Sequence, residues 1–187
     1  YIDSTATLNM QANALSIGGD YVNDGTFTYS GIQTTTLTAT TTGHSLDSGT
    51  SSWYNITTSG AGGWITSTDT LNINGNLTLA TGTFDNATYD ATINVTGNVT
   101  MDNTQTDMGD ATWTVSGDFD NQHVTTFNKN ASTVTMTGTG KEILSNSRQF
   151  YNLTIANGAS VTQPTSSAHV QIRGGIFRVI GTYTIAD

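Results

Sequence analysis

The sequence predicts an all-β chain wound into a parallel β-helix, a β-solenoid of about nine turns at a period of roughly 20 residues. Three observations predict it: a composition that favours strands, a strand–glycine–strand unit that recurs along the chain, and a longer repeat at a fixed offset. Of the 187 residues, 35% are hydrophobic and 10% charged, Thr fills 39 positions, Pro occurs once and Cys is absent. The apolar residues are mainly β-branched and aromatic, and Lys and Glu are scarce, so helix-forming material is missing. The absence of Cys also excludes disulfides, thiolate metal sites and thiol catalysis.

The short unit appears as LSIGGDYVNDGTFT from Leu15, LNINGNLTLATGTFD from Leu71, INVTGNVTMDNTQTD from Ile93, WTVSGDFDNQHVTTFN from Trp113 and VQIRGGIFRVIGTYT from Val170. Apolar and polar residues alternate at period two, which is the strand signature. A glycine at a fixed place (Gly19, Gly75, Gly97, Gly117, Gly174) permits a backbone corner that a Cβ would hinder. The step from Gly75 to Gly97 and the step from Gly97 to Gly117 are nearly equal, and each suits one solenoid turn.

The long repeat overlays the stretch from Thr34 to Thr66 on the one that begins at Ala131 and runs through Thr162, without a gap and at a constant offset of 97. Leu37 matches Val134, Trp53 matches Phe150, and Tyr54, Asn55 and Ile56 match Tyr151, Asn152 and Leu153. Two β-sandwich domains of about a hundred residues are the alternative. The recurrence of strand–glycine–strand units within one copy favours the solenoid, because a sandwich does not repeat its own strands at that interval. The expected organisation is an extended N-terminal segment over residues 1–14, a cap or donor strand, followed by a solenoid over 15–187 with an internal duplication (15–112 and 113–187).

TVTMTGTGKEI (Thr133 to Ile143) followed by FYNLTI (Phe150 to Ile155), with strands of the VSGDFDN and INGNLTLATGTF kind, resembles repetitive right-handed parallel β-helix modules of large secreted and cell-surface proteins of bacteria and archaea. The resemblance runs from about Leu15 to Ile185. It implies an exported, extended, adhesin-like or filament-like surface protein without enzymatic activity, and no particular ligand.

Charge and chain ends point the same way. The net charge is −9, with 14 acids against five basic residues, which excludes a basic nucleic-acid-binding face. No stretch approaches the roughly 18 apolar residues of a membrane span, and the first residues, Tyr1 to Ser4, do not read as a signal peptide. A start at Tyr is expected of a processed, secreted product or of a piece of something longer. Twelve acids and no Lys or Arg precede Lys129, whereas Lys129, Lys141, Arg148, Arg173 and Arg178 are accompanied only by Glu142 and Asp187, a net of +3. A solenoid maps sequence order onto axial position, so the rod is expected to be acidic at one end and basic at the other. Neither end shows a helical cap, and an uncapped end presents unpaired strand edges. The expected function is therefore an extracellular structural protein, a subunit of a filament or surface stalk that polymerises head to tail with copies of itself. The expected assembly residues are Tyr1, Ile2, Asp20 and Asp24 at one end and Arg173, Ile176, Phe177 and Arg178 at the other.

The motifs for chemistry are sparse. His44, His123 and His169 show no metal-binding or catalytic spacing. No cofactor is expected. The densest carboxylates, Asp102, Asp107, Asp110, Asp118 and Asp120, are the candidate ligands of a structural Ca²⁺, with solvated turn residues as the plainer reading. Asn55, Asn76, Asn86, Asn94, Asn98, Asn130 and Asn152 head Asn-x-Ser/Thr sequons and are the candidate glycosylation sites. Thr-x-Thr runs such as Thr133/Thr135/Thr137/Thr139 suit a glycan- or ice-binding face if they stack, although the units at Leu15, Leu71 and Ile93 share no Thr pair. A polysaccharide-degrading enzyme is the third class and requires converging acids beside a basic group.

Overall fold

The computed structural model describes residues 1–165 and 169–186; Ser166, Ser167, Ala168 and Asp187 lie outside the described residues. It is all-β, a parallel β-solenoid of about eight turns. No helix in it is long and apolar enough to cross a membrane.

Short polar corners chop the chain into strands of two to five residues, in chain order. The first two turns hold β1 (Thr7–Asn9), β2 (Leu15–Ile17), β3 (Tyr21–Val22), β4 (Thr26–Thr28), β5 (Thr34–Leu37) and β6 (His44–Asp47). Next come β7 (Ser52–Trp53), β8 (Asn55–Thr58), β9 (Gly63–Thr66), β10 (Leu71–Ile73), β11 (Leu77–Leu79) and β12 (Gly82–Asp85). The middle continues with β13 (Ile93–Val95), β14 (Val99–Asp102), β15 (Thr104–Asp107), β16 (Thr112–Val115), β17 (Phe119–His123) and β18 (Thr126–Asn128). Then follow β19 (Thr133–Met136), β20 (Lys141–Leu144), β21 (Gln149–Phe150), β22 (Asn152–Ile155), β23 (Ser160–Gln163) and β24 (Gln171–Ile172). The last two are β25 (Phe177–Val179) and β26 (Thr182–Ile185).

Every strand pair joins a strand to the third one after it, in parallel, so the solenoid has three walls. The second wall is one continuous sheet of nine strands from β2 to β26. The first wall is seven strands from β7 to β25, with β1 and β4 paired separately before them. The third is six strands from β3 to β18, with β21 and β24 paired separately after them. Turn length varies: the pairing Thr7↔Thr26 closes a short turn and Tyr21↔Leu46 a longer one, so the chain completes fewer turns than a uniform short period implies. Residues 1–14, expected as a separate extended segment, belong to the stack: Ile2 bridges Asn23 and β1 pairs with β4.

Alternation places one residue in two inside, and the parallel register stacks these into columns. Trp53, Ile73, Val95, Val115, Met136 and Ile155 form one such column, each directly opposite the next and each buried. Each side chain removed from water there contributes about 1.5–3 kcal/mol.

The recurring glycines answer to close approach. Gly97 donates its N–H to the Gly75 carbonyl at 2.8 Å, and Gly117 donates to Gly97 at 3.0 Å. A Cβ on Gly97 would meet the Asn76 side-chain oxygen and, at 2.5 Å, the Gly75 carbonyl. That neighbouring oxygen belongs to a ladder at the same corner: Asn55 Oδ1 accepts the Asn76 N–H, Asn76 Oδ1 that of Asn98, Asn98 Oδ1 that of Asp118, and Asp118 Oδ1 that of Glu142. Gly19 is different, with nothing within 4 Å of an added Cβ. It lies between β2 and β3, a different corner of the triangle from the one shared by Gly75, Gly97 and Gly117.

The long repeat recurs element for element: β5 to β9 return as β19 to β23, with burial patterns that match strand for strand except at Gly63, the first residue of β9. The shift is 14 strands, four turns and two further strands, so each repeated strand stands on a different wall from its counterpart.

Candidate assembly surfaces

At the N-terminal end the expected assembly residues are already engaged. Tyr1 is 75% exposed and its hydroxyl donates to the Asp24 carboxylate at 2.7 Å, a bond that pushes the phenol pKa up. Ile2 is buried, and its N–H donates to the Val22 carbonyl at 2.8 Å. Asp20 accepts the Ser45 N–H at 3.0 Å and contacts the His44 ring at 3.2 Å; the backbone bond first, then the ring, holds its carboxyl below the ordinary value. Of the four, Tyr1 is thus the one that offers a large apolar surface to solvent.

The last described turns carry several exposed apolar residues. Ile176 is 67% exposed and Phe177 42%, and Val179, Ile180 and Ile185 are exposed beside them. Phe177, Val179 and Ile185 stand opposite the buried Leu153, Ile155 and Gln163 of the preceding turn, and alternation in IFRVIGTYTI was the available signal for Val179 and Ile185; Ile180 lies at the corner between β25 and β26. Arg173 and Arg178 are exposed on the same turns. Among the described residues no Lys or Arg pairs with a carboxylate; the single ion pair is His44 with Asp20. The basic end therefore carries charge that is not neutralised within the fold.

Besides a register shift between β14 and β17 at Thr100 to Asp102, the side walls are broken at two notches. Sheet pairing is interrupted between β4 and β7 on the first wall and between β18 and β21 on the third. In the first notch the Ser51 hydroxyl accepts the Phe27 N–H at 3.1 Å and the Asn23 side-chain amide at 3.0 Å. In the second, Arg148 reaches across and donates from Nη2 to the Val124 carbonyl at 2.6 Å, while its Nε is buried without a partner. Phe127, Lys129, Ser147, Arg148 and Gln149 line a cleft of about 280 Å³ there.

The structure corrects the metal expectation. Asp107 accepts from the Gly109 N–H and the Asn128 and Asn130 amides, Asp110 from the Ala131 N–H, Asp118 from Glu142 and Asp120 from Gln122. Asp102 and Asp120 lie on the paired strands β14 and β17, Asp107 at the end of β15 and Asp110 at the corner after it, and Asp118 at the corner before β17; among the described residues no three acids or histidines form a group that could hold a metal ion. Asn86 is also corrected as a glycosylation site: it is fully buried, with Nδ2 donating to the Ala91 and Met108 carbonyls at 3.0 and 3.1 Å. Of the other sequons, Asn76, Asn98 and Asn130 are exposed and Asn55, Asn94 and Asn152 are half-buried.

One surface feature escaped the sequence reading. Thr36, Thr57, Thr78 and Thr100 stand directly opposite one another on four consecutive strands of the second wall. Their steps along the chain are nearly equal, but each falls among many other threonines, which conceals the ladder in the linear sequence.

No protein-family model, curated protein or solved structure matches the chain. The class that fold and surfaces define is a three-walled parallel β-solenoid with an acidic N-terminal portion and a C-terminal portion that carries all five Lys and Arg residues.

Proposed function

We propose that the chain is an extracellular structural protein, a subunit of a filament or surface stalk that assembles head to tail through its end turns and has no enzymatic activity. The observation that carries this is the C-terminal turn, where exposed Ile176, Phe177, Val179, Ile180 and Ile185 lie beside Arg173 and Arg178. An apolar solenoid cross-section stacks favourably on another, and a second copy brings the acidic portion that complements these arginines. Negative-stain electron microscopy with sedimentation at low and high salt tests it. The expected result is rods much longer than the roughly 40 Å of about eight turns, shortening at high salt. Uniform single particles at every concentration overturn it.

The Thr36–Thr57–Thr78–Thr100 ladder favours a second reading, a glycan- or ice-binding face on the second wall. Thr57→Lys with Thr78→Lys would abolish such binding and leave end-to-end assembly unchanged.

A further inference from the structure

The two notches occupy matched places in the long repeat, yet their chemistry differs. Ile32, Thr50, Ser51 and Ser52 in the first copy correspond at the offset of 97 to Lys129, Ser147, Arg148 and Gln149 in the second. The first notch therefore has no charged residue at these positions, and the second has two cations. Neither Lys129 nor Arg148 has a carboxylate partner among the described residues, although the chain has 14 acids. Lys129 is held with its ammonium 5.3 Å from the centre of the Tyr151 ring, and Arg148 is fixed by its bond to the Val124 carbonyl. The loop that carries Arg148 is strained: Asn146 matches the left-handed Gly49, but Ser147 adds a second left-handed residue at φ 64°. A non-glycine residue in that region costs about 1–3 kcal/mol and persists where the surroundings hold it.

We infer that the notch between β18 and β21 binds an acidic monosaccharide unit, a pyranose ring bearing one carboxylate. The charge of the cleft selects an anion, because Lys129 and Arg148 line it and both cations form charge-assisted hydrogen bonds with carboxylates. Its size of about 280 Å³ lies at or below the small end of ligand pockets, about 300 Å³, which suits one sugar ring and not a larger cofactor. The rest of the lining, Phe127, Ser147 and Gln149, supplies an aromatic ring, a hydroxyl and an amide, the groups that suit a sugar's C–H groups and hydroxyls. The cleft lies on a side wall, so this site stands or falls independently of end-to-end assembly.

The test is titration of the ¹⁵N-labelled full chain with D-galacturonate, D-galactose and acetate, followed by amide shifts and by calorimetry. Galacturonate is expected to bind saturably, with shifts centred on Ser147, Arg148 and Gln149, and to bind at least about tenfold more tightly than either control. Lys129→Gln leaves the Arg148–Val124 bond in place and is expected to weaken galacturonate about tenfold while the remaining amide spectrum is unchanged. Arg148→Lys, which keeps the charge but loses the planar fork, is expected to weaken it as well. Equal binding of acetate or of galactose overturns the assignment, as does the absence of saturation. Shifts that grow with protein concentration without any sugar, and vanish in Lys129→Gln, overturn it in favour of a carboxylate from a second copy.

Discussion

The stretch from Thr34 to Thr66 and its counterpart from Ala131 carry the same strands with almost the same inward pattern, on different walls of the rod. Their registers differ as well. In the first copy Thr34 stands opposite Asn55, whereas in the second Thr133, the counterpart of Thr36, stands opposite Asn152. The slip is two positions, and an even slip leaves every side chain on its original face. The comparison teaches that local alternation decides what points inward, while the running count of strands decides which wall receives it. The interruptions in pairing follow the repeat too, since β7 and β21 are counterparts and each lacks a partner strand on the preceding turn.

The largest effects are expected in the core. Trp53 and Phe150 are matched and buried; Trp53 has the Tyr21 and Phe27 rings at 4.7 and 4.8 Å and donates its ring N–H to Ser48 at 2.8 Å, whereas Phe150 has Phe119 at 5.5 Å and Phe127 at 6.2 Å. Both Ala variants are expected to lose about 3–5 kcal/mol in urea denaturation, with Trp53→Ala the worse; the reverse order would break the comparison. Next come the glycines. Gly97→Ala is expected to cost about 1–3 kcal/mol through the clash with Gly75 and Asn76. Gly19→Ala, with free space around it, is expected to be neutral or to stabilise by about 0.4–1 kcal/mol.

The notches supply the third test. Ser51→Ala removes the acceptor for the Phe27 N–H and is expected to cost about 1–2 kcal/mol. Arg148→Ala leaves the Val124 carbonyl without its donor and is expected to cost about as much, with hydrogen exchange speeding up around β18 and β21 only. The smallest effect is electrostatic. Folding lowers the Asp20 pKa, so its contribution is complete above the unfolded value of about 3.9 and is lost as pH falls through the lower folded value. Asp20→Asn is expected to flatten the acid limb of the stability curve there and to leave the neutral range nearly unchanged.

Fold class was legible because period-two alternation and the Gly75–Gly97–Gly117 spacing are local signals. The number of turns was not, because turn length varies wherever a corner takes extra residues, as between Tyr21 and Leu46. Position in space was the part least visible. Asp110 and Asp118 are near in sequence yet stand at different corners, before β16 and before β17, whereas Thr36 and Thr100 are distant residues that register brings into one column. Asn86 carries a sequon yet closes a corner from inside, with its oxygen taking the Thr66 hydroxyl at 2.6 Å. The notches left no compositional trace, since a missing ladder is a relation between two turns and belongs to neither sequence alone.

A repeat of 14 strands is not a whole number of turns, and the rod accepts it with one interrupted strand pairing in each copy. Genetic duplication or deletion of this coding segment therefore need not match the helical pitch, provided that it begins and ends between strands. Length becomes a trait that recombination can adjust in small increments, and each added copy displays its outward groups in a new direction around the axis.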